Sequence, residues 1–251
     1  MDLIQPRLGR SSDIDAVTKV FVRAMPLDPQ WEYRFPLRDD YPDDHLKYSR
    51  MLIKCFLEYD DWTLIVTEDS LEPGSKEKTV VAFAVLDVSY KNKRLDRNYR
   101  TQDRKYPTLL PASASQLSAK WVEGQGGSTR RDANHDHFNA FWKQQVEAYE
   151  KYFSHIGNDQ IHLQILATMP KFHRRGHGSS LCRWATDLVI NDSLRDMSVM
   201  ASPMGRLLYG QLGFQAIGTF YIQVPGEAEK LTLEAMMWCP SQPARTASRG
   251  A

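Results

Sequence analysis

The chain has 251 residues, of which 42% are hydrophobic and 25% charged, and its formal net charge is +1. This mixture is typical of a globular domain, and the near-neutral charge argues against a nucleic-acid partner. No run reaches the roughly 18 apolar residues of a membrane span, and the opening MDLIQPRLGRSSD lacks the apolar core of a signal peptide. We therefore expect a cytoplasmic protein with no membrane partner.

Apolar periodicity and turn residues predict the elements of the first half. Aromatic, acidic and proline residues in the stretch DPQWEYRFPLRDDYPDD predict a loop over 28–44. Around this loop we expect, in chain order, a strand at 4–8, a helix from 14 to 25 capped by Ser12, a helix at 45–59, and strands at 62–66 and 80–88.

Residues 90–134 read as an insertion, of the length that often forms a lid or a substrate wall. The second half then alternates strands and helices without a linker, which predicts one domain over 1–239 and a disordered tail over 240–251. Its predicted helices lie at 135–154, 178–190 and 205–212, and its predicted strands at 161–167, 198–202, 214–224 and 231–238.

The sequence HRRGHGSSL at 173–181 has the features of an anion-binding turn. Its two glycines allow close approach of the backbone, and a helix that begins there directs free N–H groups at the ligand. A Walker A loop requires a lysine after its second glycine, where Ser179 stands. A dinucleotide-binding fingerprint requires a small residue where Leu181 stands, and it occurs early in a βαβ array. Neither class of nucleotide site is therefore favoured.

The stretch LQILATMPKFHRRGHGSSL resembles the acetyl-CoA loop of the GNAT acetyltransferase superfamily, Gln/Arg-x-x-Gly-x-Gly/Ala, with His173 in place of the usual first residue. One helix and one strand later, ASPMGRLLYGQLGF at 201–214 resembles the superfamily's Leu-Tyr-x-x-Leu-Gly-Phe element. The resemblance implies an α/β (α+β) fold with a mixed, mostly antiparallel sheet of six to seven strands flanked by helices. It also implies a V-shaped split in the sheet at the acetyl-CoA site.

The resemblance further implies an acetyl-CoA-dependent N-acetyltransferase that passes the acetyl group directly to a primary amine. Tyr209 matches the tyrosine that protonates the departing thiolate, and Ser202 contacts the pantetheine arm or caps a helix. The implied acetyl-CoA-binding residues are Leu166, Ala167, Thr168, His173, Arg174, Arg175, Gly176, His177, Gly178, Ser179, Ser202 and Tyr209.

The general base is not defined by the motifs. Relatives carry an acidic residue on a central strand, where this chain has Gln164 and Met200. His162 is the catalytic candidate for this role because its ordinary pKa suits proton transfer near neutrality, although a structural role in the strand explains it as well. The other candidates are a water chain and the loop residues Glu32, Asp39 and Asp40.

Trp31, Phe35 and Tyr41 are the candidate substrate residues, as apolar walls in the loop at 28–44, with burial in the core as the alternative. The chain is similar in outline to fungal small-molecule acetyltransferases, so we expect a small-molecule amine and a monomer or weak homodimer. An acyl-CoA-binding module without turnover and a nucleotide-binding enzyme of another class remain alternatives. Cys55, Cys182 and Cys239 lack metal-ligand spacing and are expected to be reduced, and no metal is predicted.

Overall fold

The computed structural model describes residues 4–72, 75–91 and 127–240, and within these ranges the chain forms one seven-stranded sheet flanked by helices. The strands lie in the order β1-β2-β3-β4-β5-β7-β6, and β4 and β5 are the parallel neighbours in a sheet that is otherwise antiparallel. The strands are β1 (Arg7–Leu8), β2 (Trp62–Asp69), β3 (Thr79–Asp87), β4 (Gln160–Thr168), β5 (Asp196–Ala201), β6 (Gln215–Ile222) and β7 (Leu231–Trp238). The predicted sheet is confirmed.

Six α-helices flank the sheet in the described ranges. They are α1 (Ile14–Ala24), α2 (Pro29–Arg34), α3 (Pro42–Glu58), α4 (His135–Tyr152), α5 (His177–Asn191) and α6 (Gly205–Gln211). Helices α1 and α3 cover one apolar core, and α5 buries Leu181, Ala185 and Val189 in a second. Full burial of such side chains contributes about 1.5–3 kcal/mol each, so α5 is firmly held against the sheet.

The prediction of a loop over 28–44 was wrong in part. Helix α2 forms there because the Asp28 side chain accepts a hydrogen bond from the Gln30 N–H at 3.1 Å and Pro29 follows as the first helical residue. Helix α3 begins at Pro42 rather than at 45, with proline again at its start. Pro29 and Pro42 therefore mark helix starts, whereas Pro36 lies in the turn between the two helices.

The predicted N-cap at Ser12 was also wrong. Ser12 lies within a short 3-10 turn, Ser11–Asp13, and α1 begins at Ile14. The carboxylate of Asp13 organises this turn, because it accepts hydrogen bonds from the Arg10 N–H at 2.8 Å and from Arg7 Nη1 at 2.7 Å.

The predicted insertion and tail lie mostly outside the described residues. Of 90–134, the structure describes 90–91 and 127–134, and of 240–251 it describes residue 240 alone. No helix in the described part of the chain combines the length and apolarity needed to cross a membrane.

The parallel strands β4 and β5 separate part-way along their length. Their pairing runs from Gln160 opposite Asp196 to Leu163 opposite Val199, whereas β4 continues to Thr168 along β3. The register of the β3–β4 pair shifts at Gln164: Val85 is paired with Ile165, whereas the next residue, Leu86, is paired with Leu163. This bulge bends β4 away from β5. The edge of β4 beyond Leu163 is thus unpaired toward β5 and opens a split in the sheet.

Candidate active site

A cavity of about 660 Å³ passes through the split between β4 and β5. At one end, the loop end, it is lined by the turn after β4, the start of α5 and the start of α6. At the other, the aromatic end, it is lined by Trp31, Phe35, Phe138, Phe141 and Trp142. The volume lies in the usual range for small-molecule sites.

The turn at the loop end has the backbone conformation of an anion cradle. Arg174 and Gly176 both have positive φ, 62° and 96°, and α5 begins at the next residue, His177. The His173 Nε2–H donates to the carbonyl of Thr168 at 2.8 Å and holds the turn against the end of β4. The free N–H groups of the first helical turn therefore point at the cavity, where an anion is favoured by their partial positive charge.

Gly178 is required by close packing. A Cβ atom at this position would lie 3.1 Å from Leu208 Cδ2 and 3.5 Å from Leu166 Cδ2. The start of α5 thus lies against both β4 and α6, and a side chain would push into the loop end.

The two neighbouring arginines of the turn point in different directions. Arg174 lines the loop end. Arg175 does not: its Nη1 lies 3.6 Å from Asp69 Oδ2, and its guanidinium lies 4.9 Å from the Phe172 ring. Asp69 on β2 thus holds the Arg175 side chain outside the cavity, so the structure gives no support to the predicted cofactor contact of this side chain.

The side chain of His177 anchors the turn to β2. It is 1% exposed, its Nδ1 lies 2.9 Å from Thr67 Oγ1, and its Nε2–H donates to Asp69 Oδ2 at 3.4 Å. Because Nε2 donates, the neutral ring accepts the Thr67 hydroxyl hydrogen at Nδ1. Burial lowers the pKa of His177, although Asp69 opposes this effect. His177 is among the residues that line the cavity, but its imidazole is hydrogen-bonded to Thr67 and Asp69 and is not free to bind a ligand.

The remaining predicted loop-end residues also line the cavity. They are Leu166, Ala167, Thr168, Ser179, Ser202 and Tyr209. The Ser202 hydroxyl accepts a hydrogen bond from the Gly205 N–H at 3.2 Å, which stabilises the start of α6. Of the two roles left open for Ser202, the structure shows this helix-start contact.

Tyr209 is suited to donating a proton. Its ring packs on Phe214 with 5.5 Å between centroids, and the residue is 6% exposed. Burial raises the pKa of Tyr209 well above its ordinary value, and Cys182 and Asp28 act in the same direction. The phenol therefore keeps its proton until a strong base, such as a departing thiolate, forms beside it.

The structure does not favour His162 as the base. It lines the cavity, but it is 5% exposed and burial lowers its pKa to about 3. The Ser198 hydroxyl donates to Gln160 Oε1 at 2.7 Å, so Ser198 Oγ accepts the Nδ1–H of His162 at 2.9 Å. The imidazole is thus neutral and only weakly basic, and it cross-links β4 to β5 just before the strands separate.

Asp28 is the functional candidate that sequence reasoning missed. Among the described residues that line the cavity, Asp28 is the one acidic residue, and it is the N-cap residue of α2. The three acidic candidates named from the loop do not line the cavity: Glu32 pairs with Arg38, the Asp39 side chain is 91% exposed, and Asp40 is exposed. The sequence Asp28-Pro29, an N-cap residue followed by proline, is the sequence signal that could have predicted a helix start here.

Of the predicted substrate residues, Trp31 and Phe35 line the aromatic end and Tyr41 does not. The Tyr41 ring lies outside the cavity, with the Arg131 guanidinium 4.8 Å from its centroid, so the structure gives no support to this part of the prediction. Trp31 and Phe35 are 4% and 3% exposed and pack on one another, with 4.6 Å between ring centroids. The aromatic end is therefore a densely packed wall.

A buried hydrogen-bond chain fixes this wall. The Trp31 Nε1–H donates to His45 Nε2 at 3.1 Å, so the His45 proton is on Nδ1 and is donated to Asp132 Oδ2 at 2.6 Å. Arg130 also donates to Asp132, from Nε at 2.7 Å and Nη2 at 2.5 Å. Burial would raise the pKa of Asp132, but these hydrogen bonds outweigh it and the pKa is lowered. The described end of the predicted insertion thus contributes to the cavity, since Arg130 lines it.

Comparisons with known proteins agree with this geometry. No protein-family model matches the chain. An acetyltransferase of the fungus Stachybotrys chartarum is 25% identical over 228 residues, which cover 90% of this chain and 86% of that protein. The polyamine N-acetyltransferase of Drosophila melanogaster superposes with a TM-score of 0.57 at 12% identity, over 94% of this chain and 100% of that one. The mosquito arylalkylamine N-acetyltransferase like 5b superposes with a TM-score of 0.54 at 13% identity, over 94% of this chain and 100% of that one.

The chain has the GNAT fold. The predicted resemblance is thereby confirmed, including its mostly antiparallel sheet with seven strands. The turn of the loop end, residues 173–178, is the segment that resembles the GNAT pattern Gln/Arg-x-x-Gly-x-Gly/Ala. Helix α6 and the residues after it contain the Leu-Tyr-x-x-Leu-Gly-Phe pattern, at 208–214. The fold and the fungal relative together support an acetyltransferase.

Proposed function

We propose that the protein is an acetyl-CoA-dependent N-acetyltransferase that passes the acetyl group directly to the primary amine of a small molecule. One observation carries this proposal: a continuous cavity joins the anion cradle of the loop end to the aromatic end through the split in the sheet. A thioester held along the split would meet an amine from the opposite side.

The loop end fits acetyl-CoA in its shape and donor set. The positive φ values at Arg174 and Gly176, the free N–H groups at the start of α5 and the absent side chain at Gly178 suit a pyrophosphate. The unpaired edge of β4 beyond Leu163 offers backbone donors and acceptors to the amides of pantetheine. When bound, acetyl-CoA supplies an activated thioester carbonyl.

Two side chains match the two proton transfers that direct acetyl transfer needs. The carboxylate of Asp28 accepts a proton from the incoming ammonium group, which frees the nitrogen lone pair to form the new C–N bond. The phenol of Tyr209 donates its proton to the thiolate that leaves as the C–S bond breaks. The second proton of the nitrogen then passes to the phenolate, which leaves a neutral amide and restores Tyr209. Asp28 and Tyr209 line the same cavity, and the charge of Asp28 adds to the effect of burial in raising the pKa of the phenol, which is consistent with their acting on one substrate.

The cysteines do not compete for the role of nucleophile. Burial raises the pKa of Cys55 and of Cys182 to about 12, so both remain thiols at neutral pH. Cys239 donates its hydrogen to Asp196 Oδ1 at 2.8 Å. Direct transfer without an acyl-enzyme is therefore favoured.

The structural neighbours support an amine acceptor. The two neighbours with TM-scores of 0.57 and 0.54 are named for polyamine and arylalkylamine N-acetylation. Both names describe small amines, and a cavity of about 660 Å³ has the size for one. We extend the acceptor class, a small primary amine, to this chain.

The experiment is a thiol-release assay with acetyl-CoA and a panel of primary amines. Turnover that requires both the protein and an amine is expected, with the acetylated amine identified by mass spectrometry. Saturable acetyl-CoA binding without release for any amine would instead support an acyl-CoA-binding module. Failure to bind acetyl-CoA would contradict the proposal altogether.

A further inference from the structure

A buried arginine without a carboxylate partner faces the aromatic end. Arg34, the last residue of α2, lines the cavity and is 6% exposed. Its Nε–H donates to the Gln30 carbonyl at 3.1 Å, and no described residue accepts a hydrogen bond from its two terminal nitrogens. Buried guanidinium groups normally have an anionic partner, because desolvating their charge is costly.

The surroundings of Arg34 do not replace that partner. Its guanidinium lies 3.8 Å from the Phe141 ring centroid and 4.9 Å from that of Trp31. Burial lowers the pKa of Arg34 to about 9; Asp28 opposes this effect, and the positive charge of Arg130 adds to it. Stacking on rings stabilises a cation, but it leaves the N–H groups in the plane of the fork unsatisfied.

The neighbouring Arg130 provides an internal comparison. Arg130 lines the same end of the cavity and is equally buried, but both arms of its fork donate to Asp132. A second donor of this wall lacks an acceptor, because Trp142 Nε1 is buried without a hydrogen-bond partner. The aromatic end thus has one satisfied arginine and one arginine whose fork is free to bind a ligand.

We propose that Arg34 binds a carboxylate of the acceptor, so that the acceptor is an amino acid with an apolar side chain. This inference rests on the proposed function, since it names the amine that the same site would take. The planar fork of arginine matches a carboxylate in two parallel hydrogen bonds.

Charge and polarity favour this acceptor over other amines. The single unpaired guanidinium of this wall balances one negative charge rather than the two of a phosphate. Asp28 lines the same cavity and its charge acts on both Arg34 and Tyr209, so its carboxylate would meet the ammonium group there. The rings of Trp31 and Phe141 are apolar surfaces for the side chain. A polyamine would instead place a second cation against Arg34.

The test compares three amines that share one ring: L-phenylalanine, its methyl ester and 2-phenylethylamine. We expect kcat/KM of the unmodified protein to be at least 10-fold higher for L-phenylalanine than for the other two. In Arg34→Gln, kcat/KM for L-phenylalanine should fall at least 10-fold while the values for the ester and the amine change little. Arg38→Gln is the matched control, because Arg38 pairs with Glu32 outside the cavity.

Three results would overturn the inference. The first is equal use of all three amines by the unmodified protein, a comparison that needs no variant. The second is an Arg34→Gln effect that is the same for all three. The third is more efficient acetylation of O-phosphoethanolamine than of L-phenylalanine, which would assign the subsite to phosphate. Turnover without a preference for the carboxylate contradicts this inference alone, whereas no thiol release with any amine contradicts the proposed function.

Discussion

The loop end and the aromatic end of the cavity are built in different ways. The loop end is mostly backbone: the open edge of β4, the turn with positive φ at Arg174 and Gly176, and the start of α5 come from one continuous segment, 163–179. The aromatic end is made of side chains from segments far apart in sequence, since His45 and Asp132 in its supporting network are 87 residues apart.

This difference separates the two tasks of the site. A backbone cradle holds its ligand without depending on many particular side chains, so one loop can serve a common cofactor. A wall of side chains changes with each substitution, so it is where acceptor specificity is set. We therefore expect substitutions at the loop end to change acetyl-CoA affinity, and those at the aromatic end to change the choice of amine.

The largest effect is expected where the two ends meet. Tyr209→Phe removes the proton donor but keeps the ring that packs on Phe214. Loss of a positioned general acid should lower kcat about 100-fold, while acetyl-CoA affinity stays within about 2-fold. Steady-state kinetics and calorimetry on the same preparation would measure both. Unchanged kcat would remove Tyr209 from the chemistry and favour a module without turnover.

The second test concerns the base. Asp28→Asn should lower kcat at least 10-fold, because the amide does not take up the ammonium proton. Asparagine caps helices as well as aspartate does, so α2 and the thermal midpoint should be retained. Glu32→Gln is the control, since this exposed residue pairs with Arg38 outside the cavity. Similar kcat values for both variants would assign the base elsewhere.

The third test separates the neighbouring arginines of the loop end. Arg174→Ala should weaken acetyl-CoA binding about 10-fold, the usual value of a charge-assisted hydrogen bond. Arg175→Ala should change it less than about 2-fold, because this side chain is held by Asp69. Equal losses in the two variants, measured by calorimetry, would show that the side-chain directions do not determine phosphate binding.

The fourth test concerns stability rather than activity or binding, at His162. Its pKa falls from 6.5 to about 3 on folding, so the unfolded chain binds more protons between these values. Stability is therefore full above about pH 6.5 and is lost as the pH falls, by up to about 1.4 kcal/mol per pH unit for one proton. His162→Gln should flatten this slope in denaturant unfolding between about pH 4.5 and 6.5. The exposed His155→Gln is the control, and identical slopes in both variants would refute the assignment.

The loop end was predictable because its chemistry is local in sequence. Glycine spacing, a helix start and the order of two motifs predict residues 166–168, 173–179 and Tyr209 without any long-range contact. The direction of Arg175 was not predictable, because it depends on Asp69 in another strand. The weak basicity of His162 likewise follows from burial that the strand pattern alone does not show.

The aromatic end was only partly predictable. Trp31 and Phe35 were identified by composition, but Asp28 and Arg34 were hidden because a short helix was read as a loop. The position of Arg130 in the cavity was not predictable from the sequence, because the fold brings the end of the insertion beside α2 and α3. Contacts between distant segments are set by packing rather than by any local pattern.

Whether the loop end binds acetyl-CoA can be measured by calorimetry. Acetyl-CoA, free CoA, NAD and ATP would each be titrated into the purified protein. We expect saturable binding of acetyl-CoA and CoA with a Kd in the micromolar range, about −8 kcal/mol at 1 μM, and much weaker binding of NAD and ATP. No heat and no thermal shift with either form of CoA would contradict it.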